Sequence, residues 1–226
     1  MSRRAVFLDR DGTLVHAEHY PSRPEQLVLY AGIGPELAKL RSAGFALVMV
    51  TNQSGLAHGH FTPEDLAAMH ASLQTELATF GAEMDGVYFC PHHPEGAVAG
   101  LAVPCGCRKP EPGMLLQGAR DLDLDLPRSW FVGDILDDVE AGNRAGCRTI
   151  LVDLGTENPP PSPMRTPGHV ARDTMHALAI IAFLDAGGPA AALDYAPRSW
   201  LRDAGDLDRE RPDPTLKRER ESHAVR

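Results

Sequence analysis

The chain has 226 residues, 43% of them hydrophobic and 23% charged, with a formal net charge of −9. That is enough for one domain with a sizeable core, and the acidic balance argues against a nucleic-acid partner. No apolar run approaches the roughly 20 residues that span a bilayer, so no membrane partner is expected. Met1-Ser2-Arg3-Arg4-Ala5 leads straight into an apolar segment with no cleavable leader, which predicts a cytoplasmic protein. Four cysteines in such a compartment point to metal before disulfides.

In chain order, Ala5-Val6-Phe7-Leu8 reads as a buried strand that runs into Asp9-Arg10-Asp11-Gly12-Thr13. His16 to Tyr30 is a polar excursion that reads equally as a solvated loop or as one from which His16, Glu18, His19 and Tyr20 can reach a substrate. Gly34-Pro35 opens a helix closed by Gly44. Phe45 to Val50 is a continuous apolar strand ending in Thr51-Asn52-Gln53-Ser54-Gly55. Thr62 caps a helix with Pro63 at its first position, running to about Phe80. Asp85 to Cys90 is a third strand, Glu111 to Asp121 a helix, Trp130 to Val132 a fourth strand, Leu136 to Arg144 a helix stopped by Gly146, and Arg148 to Val152 a fifth strand. Past Gly155 comes a proline-rich linker, then a last helix over Met175 to Leu184 that Asp173 and Thr174 cap. Residues 1–185 read as one domain and 186–226 as a low-structure tail. Strands alternating with helices predict a parallel α/β sheet with its ligand beyond the carboxyl ends of the strands, where Asp9, Thr51 and Asp134 fall.

Asp9 and Asp11 stand at i and i+2 after a strand, so they can hold a divalent cation through oxygen and still offer a nucleophile. Asp134 can complete a Mg²⁺ site with Asp9 and the backbone carbonyl of Asp11. Asp138, one helical turn on, orients a basic residue or a metal-bound water. Cys90-Pro91-His92 and Cys105-Gly106-Cys107 supply two N/S pairs, the tetrahedral set that Zn²⁺ prefers. With all four positions filled by protein the zinc is structural, a staple for the loop 90–107. His93 is a rival to His92, and a disulfide or free thiols are the plainer alternatives. Arg108-Lys109-Pro110 follows directly. Lys109 can offset charge on a nucleophile and a phosphate, and Arg108 can grip a second anion in bidentate fashion.

In order, Asp9-x-Asp11-Gly-Thr, Thr51, Lys109 and Gly-Asp134-x-x-x-Asp138 resemble the four motifs of the haloacid dehalogenase-like (HAD) phosphohydrolases. Thr-Asn-Gln-Ser-Gly at 51–55, Cys-Pro-His-His-Pro at 90–94 and Cys-x-Cys-Arg-Lys-Pro-x-Pro-Gly-Met at 105–114 are similar to the D,D-heptose 1,7-bisphosphate phosphatases, over about residues 5–153. The resemblance implies a Rossmannoid three-layer sandwich around a central parallel sheet, with a zinc loop and no separate cap domain. It implies removal of the 7-phosphate from a small phosphosugar, on the route to nucleotide-activated heptose for surface glycans. It makes Asp9 the nucleophile, Asp11 the acid and base, and Thr51 and Lys109 the groups that stabilise the phosphoryl. Substrate contacts are expected from Arg10, His19, Tyr20, Asn52, Gln53, Ser54 and Arg108, in a monomer that needs Mg²⁺ and Zn²⁺. One departure is Ile135, where the family often has Lys. The rival readings are a histidinol-phosphate phosphatase or another small phosphosugar phosphatase, and a catalytically silent, zinc-stabilised binding module.

Overall fold

A computed structural model describes residues 2–189. Six strands, β1 (Ala5–Leu8), β2 (Ala46–Asn52), β3 (Gly86–Cys90), β4 (Trp130–Gly133), β5 (Arg148–Val152) and β6 (His169–Ala171), form one parallel sheet in the order β3-β2-β1-β4-β5-β6. The chain builds outward from β1 to one edge, then returns to β4 and builds to the other. The switch point lies between β1 and β4, and a parallel sheet opens its crevice beyond the carboxyl ends of the strands there.

The central strands β1, β2 and β4 are apolar on both faces because helices cover both. Val6, Leu8, Leu47, Met49 and Val132 pack against α1 (Ile33–Ser42), α3 (Pro63–Ala78) and α6 (Thr174–Asp185). Phe7, Val48, Val50 and Phe131 point the other way, against α4 (Gly113–Asp121) and α5 (Leu136–Ala145). Successive residues of one strand alternate between the two cores, the period-two rule inside an unbroken apolar run. Each fully buried aliphatic or Phe side chain stabilises by about 1.5–3 kcal/mol.

Helix ends follow the local chemistry. Thr62 Oγ1 accepts from Asp65 N and the Asp65 carboxylate accepts from Thr62 N, a reciprocal cap around Pro63. Gly146 ends α5 at φ 83°, a left-handed conformation that side chains resist. Helix α4 begins at Gly113, not at the expected Glu111, because Glu111 precedes Pro112 and a residue before proline is pushed out of the helical region. Asp173 caps α6 by accepting from His176 N. Thr174 takes no part in that cap, contrary to expectation. Its hydroxyl donates 2.8 Å to the carbonyl of Thr13 and ties α6 to the loop after β1. Two elements were not expected from sequence, the four-residue α2 (Gly55–His58) and β6. The expected low-structure tail lies, from residue 190 onward, outside the described residues. Among the described residues no helix is long and apolar enough to cross a membrane.

Candidate active site and zinc cluster

Asp9 follows β1 and Asp134 follows β4, on either side of the switch point. Asp138 comes from the first turn of α5 and Lys109 from the long loop after β3. Lys109 Nζ lies 2.8 Å from Asp9 Oδ1 and 2.6 Å from Asp138 Oδ1, and donates 3.2 Å to the carbonyl of Val50. Lys109 and Asp138 are each 1% exposed. The two carboxylate contacts are ionic: both oxygens sit off the hydrogen-bond directions. Burial alone would depress the lysine, but Asp138 and Asp9 outweigh it and its pKa lies above the usual lysine range.

Oxygens of Asp9, Asp134 and Asp138 lie within 4.8 Å of one another. Burial pushes Asp134 up to about 8, and the charges of Asp9 and Asp138 add to the effect. Three crowded carboxylates face one ammonium and the Thr13 hydroxyl, which donates 3.2 Å to Asp134 Oδ1. This all-oxygen donor set, with more anions than the lysine can balance, fits a hard divalent cation such as Mg²⁺. The backbone makes room for it. A Cβ on Gly12, itself at φ 82°, would meet Asp134 Oδ2 at 2.3 Å, and one on Gly133 would meet Asp138 Oδ2 at 2.2 Å.

The Asp11 carboxylate is not in that cluster. It turns toward Arg10, whose Nε lies 3.1 Å from both of its oxygens and whose Nη2 lies 2.8 Å from Oδ2, and toward Gln53 Nε2 at 3.1 Å. Gln53 Nε2 also donates 2.9 Å to Thr51 Oγ1. Asn52 clasps the Lys109 backbone from both sides, accepting from its N at 3.0 Å and donating to its O at 3.1 Å. Two cavities meet at this wall. One of about 270 Å³ is lined by Asp9, Asp11, Ala17, Thr51, Asn52, Lys109, Asp134 and Ile135. The other, of about 180 Å³, takes in Arg10, Asp11, His19, Tyr20, Asn52, Gln53 and Ser54. Asp11 and Asn52 border both.

Of the expected substrate contacts, His19, Tyr20, Asn52, Gln53 and Ser54 line the second cavity, and so does Arg10, which is almost fully buried with its guanidinium engaged by Asp11. Arg108 donates a long 3.5 Å bond to the carbonyl of His92 and lines neither cavity. Sequence reasoning missed His58 and His60, whose rings enclose Tyr20 together with His19. Their position in the loop after β2 was the available signal.

Cys90, His92, Cys105 and Cys107 converge. The sulfurs stand 3.2–3.5 Å apart, and His92 Nδ1 lies 3.6 Å from Cys90 Sγ and 3.4 Å from Cys107 Sγ. The disulfide alternative falls, since an S–S bond is about 2.05 Å long and all four cysteines are free. His93 is not part of the cluster: its Nδ1 accepts from Glu95 N and its ring packs on His58. Four N/S donors this close can bind Zn²⁺, with no position left for water. Cys147 is buried apart from them, and burial pushes its thiol up to about 12.

A parallel sheet carrying two acidic strand ends and a buried lysine at its switch point defines a HAD-type phosphohydrolase, and the HAD-hydrolase-like family profile matches residues 106–177. A D-glycero-β-D-manno-heptose-1,7-bisphosphate 7-phosphatase of Yersinia pestis is 42% identical over 171 residues, 75% of this chain and 87% of that protein. The chain belongs to this family of heptose-bisphosphate phosphatases. Among solved structures, a HAD-like phosphatase of Mesorhizobium loti aligns with TM-score 0.72 and 38% identity, over 83% of this chain and 88% of that one. The D,D-heptose 1,7-bisphosphate phosphatase of B. bronchiseptica, complexed with magnesium and phosphate, aligns with TM-score 0.67 and 33% identity over 79% and 98%.

Proposed function

We propose that this protein hydrolyses the 7-phosphate of D-glycero-β-D-manno-heptose 1,7-bisphosphate with Asp9 as nucleophile, in the making of nucleotide-activated heptose. The observation that carries the reading is Lys109 Nζ at 2.8 Å from Asp9 Oδ1, a fixed cation beside a carboxylate at the mouth of the switch point. Asp9 attacks phosphorus, its oxygen bonds to the phosphoryl, and the bond to the sugar oxygen breaks. Asp11 gives its proton to that leaving oxygen. It then takes one from the water that attacks phosphorus and frees Asp9 with inorganic phosphate. Lys109 balances charge on the transferring group, and the Thr51 hydroxyl donates to its oxygens. Asp9, Asp134 and the Asp11 carbonyl would hold Mg²⁺, with Asp138 holding Lys109 in line. When bound, Mg²⁺ supplies further charge neutralisation and orients the phosphoryl.

Two adjoining cavities with Asp11 on their shared wall suit a substrate with a phosphate at each end and the scissile oxygen between. Arg108, just outside, is the residue proposed to attract the far phosphate. The reading includes a cytoplasmic monomer acting on a small phosphosugar, with residues 1–185 as the catalytic domain. The test is phosphate release with Mg²⁺ on both heptose bisphosphate anomers and on histidinol phosphate. The β-anomer is expected to be preferred and Asp9→Asn to abolish turnover while leaving the fold intact. An Asp9→Asn protein with near-normal rates rules the scheme out.

A further inference from the structure

Arg10 is the largest side chain that is fully buried, at 1% exposure. Taking a guanidinium out of water is costly unless its donors are matched. Nε and Nη2 are matched by Asp11 alone. Nη1 is buried and has no hydrogen-bond partner among the described residues. On α3, His70 presents the complementary orphan, a buried Nε2 without a partner. The His70 ring lies 5.9 Å from the Phe89 ring, Phe89 stands opposite Thr51 in the sheet, and Thr51 joins Asp11 through Gln53, which places His70 beside the same cluster. Burial, and then the charge of Arg10, hold its imidazole down, to about 4. A neutral imidazole keeps a lone pair for a donor. An orphan donor and an orphan acceptor buried in the same part of the interior are what a single water links.

We propose that Arg10 is a positioning residue that holds the Asp11 carboxylate on the wall between the two cavities, and that His70 braces it through a water between Nη1 and Nε2. Gln53 holds the same carboxylate from the other side. The assignment rests on the phosphatase reading, in which the Asp11 proton goes to the leaving oxygen as the bond from phosphorus to that oxygen breaks and the bond to Asp9 forms. It gives Arg10 a role other than touching the substrate.

The test uses leaving groups that differ in their need for a proton. In this scheme kcat/KM reports formation of phospho-Asp9 alone, so hydrolysis of that intermediate does not enter. With an alkyl phosphate such as the heptose bisphosphate, Arg10→Lys and Arg10→Met should lower kcat/KM by about 100-fold, the scale of general-acid assistance. With p-nitrophenyl phosphate, whose phenolate leaves without a proton, the loss should stay within a few-fold. His70→Leu should give the same selective loss to a smaller extent, and His70→Gln, which keeps an acceptor, should recover part of it. Weaker binding of the heptose bisphosphate itself, measured as Kd on the Asp9→Asn protein with and without Arg10→Lys, in proportion to the loss of kcat/KM would make Arg10 a substrate contact and overturn the proposal. Equal losses on both substrates, tracking a loss of folded protein, would make it a merely structural residue and also overturn it. If Arg10→Met does not fold, the ratio is read on Arg10→Lys and His70→Leu. A wild-type protein that releases no phosphate from either substrate overturns the phosphatase reading and this proposal together.

Discussion

Lys109 and Arg10 are two cations that the fold takes out of water, and they are matched differently. Lys109 donates to the Val50 carbonyl and meets Asp9 and Asp138 as ion pairs, two anions for one ammonium. Asp138 shares the ammonium with Asp9, so in the proposed scheme it leaves Asp9 freer to attack. Arg10 meets one carboxylate and leaves a donor over, which is why His70 matters. His70 also has a signature in stability. Above pH 6.5 its imidazole is neutral in the folded and the unfolded chain and contributes no pH dependence. Below that, the unfolded chain takes up a proton that the folded chain refuses until about pH 4, so stability falls across this window. Between pH 6.5 and 5 the loss from this one group is about 2 kcal/mol. Urea midpoints at pH 7 and pH 5 for wild type and His70→Gln check it. The variant should lose less than wild type over this interval, and identical losses would show that His70 does not stay neutral.

The elements that carry the site differ in how plainly the sequence announces them. Strands β1 and β2 carry continuous apolar runs because helices cover both faces, and such runs are hard to mistake. β6 is three residues with only Val170 and Ala171 buried, too short for any period to register. Helix α2 is a single turn that starts on glycine. Site residues with a fixed place after a strand, Asp9, Thr51 and Asp134, were legible for the same reason. The roles of Asn52 and Arg10 were not. Asn52 bonds a backbone 57 residues away, and whether Arg10 faces a ligand or a neighbouring carboxylate is a matter of rotamer. The zinc loop sits between these cases: its ligand spacing and its run from Cys107 into Lys109 were plain, and the Asn52 clasp on the Lys109 backbone was not. Val98 and Val103 are exposed and the loop buries little of its own; backbone bonds from Ala97 and Val98 to the Ala57 carbonyl hold its middle, and Zn²⁺ on the four ligands would fasten its two ends. Stripping zinc with a strong chelator, or Cys107→Ser, should speed proteolytic cleavage between 93 and 104 and lower kcat by loosening Lys109. Zinc content, cleavage rate and turnover, measured on the same samples, should change together. A metal-free protein with unchanged cleavage and turnover would reduce the cluster to a bystander.

At the scale of the whole molecule, the question is where the cooperative unit ends. Helix α6 is part of it. Ala177, Leu178, Ile180 and Ile181 are buried against the face shared with α1 and the sheet. Asp185 pairs with Arg4 just before β1, so the last turn of the helix is fastened to the first strand of the fold. The Thr174 hydroxyl reaches the carbonyl of Thr13, 161 residues away in sequence, in the loop that also carries Asp11. Uncovering three aliphatic side chains and an alanine at about 1.5–3 kcal/mol for each larger group approaches the 5–15 kcal/mol that holds a typical domain together. A chain stopped at residue 172 should therefore fail to fold cooperatively. A chain stopped at residue 189 keeps every strand and helix of the described residues and every residue of both cavities, and should match the full-length protein in urea midpoint and in kcat/KM. Equilibrium unfolding and phosphate release on the two truncations decide between these expectations. A 1–189 protein with a lower midpoint would mean that the remaining residues contribute to the domain, and the boundary proposed at 185 would have to move toward the C-terminus.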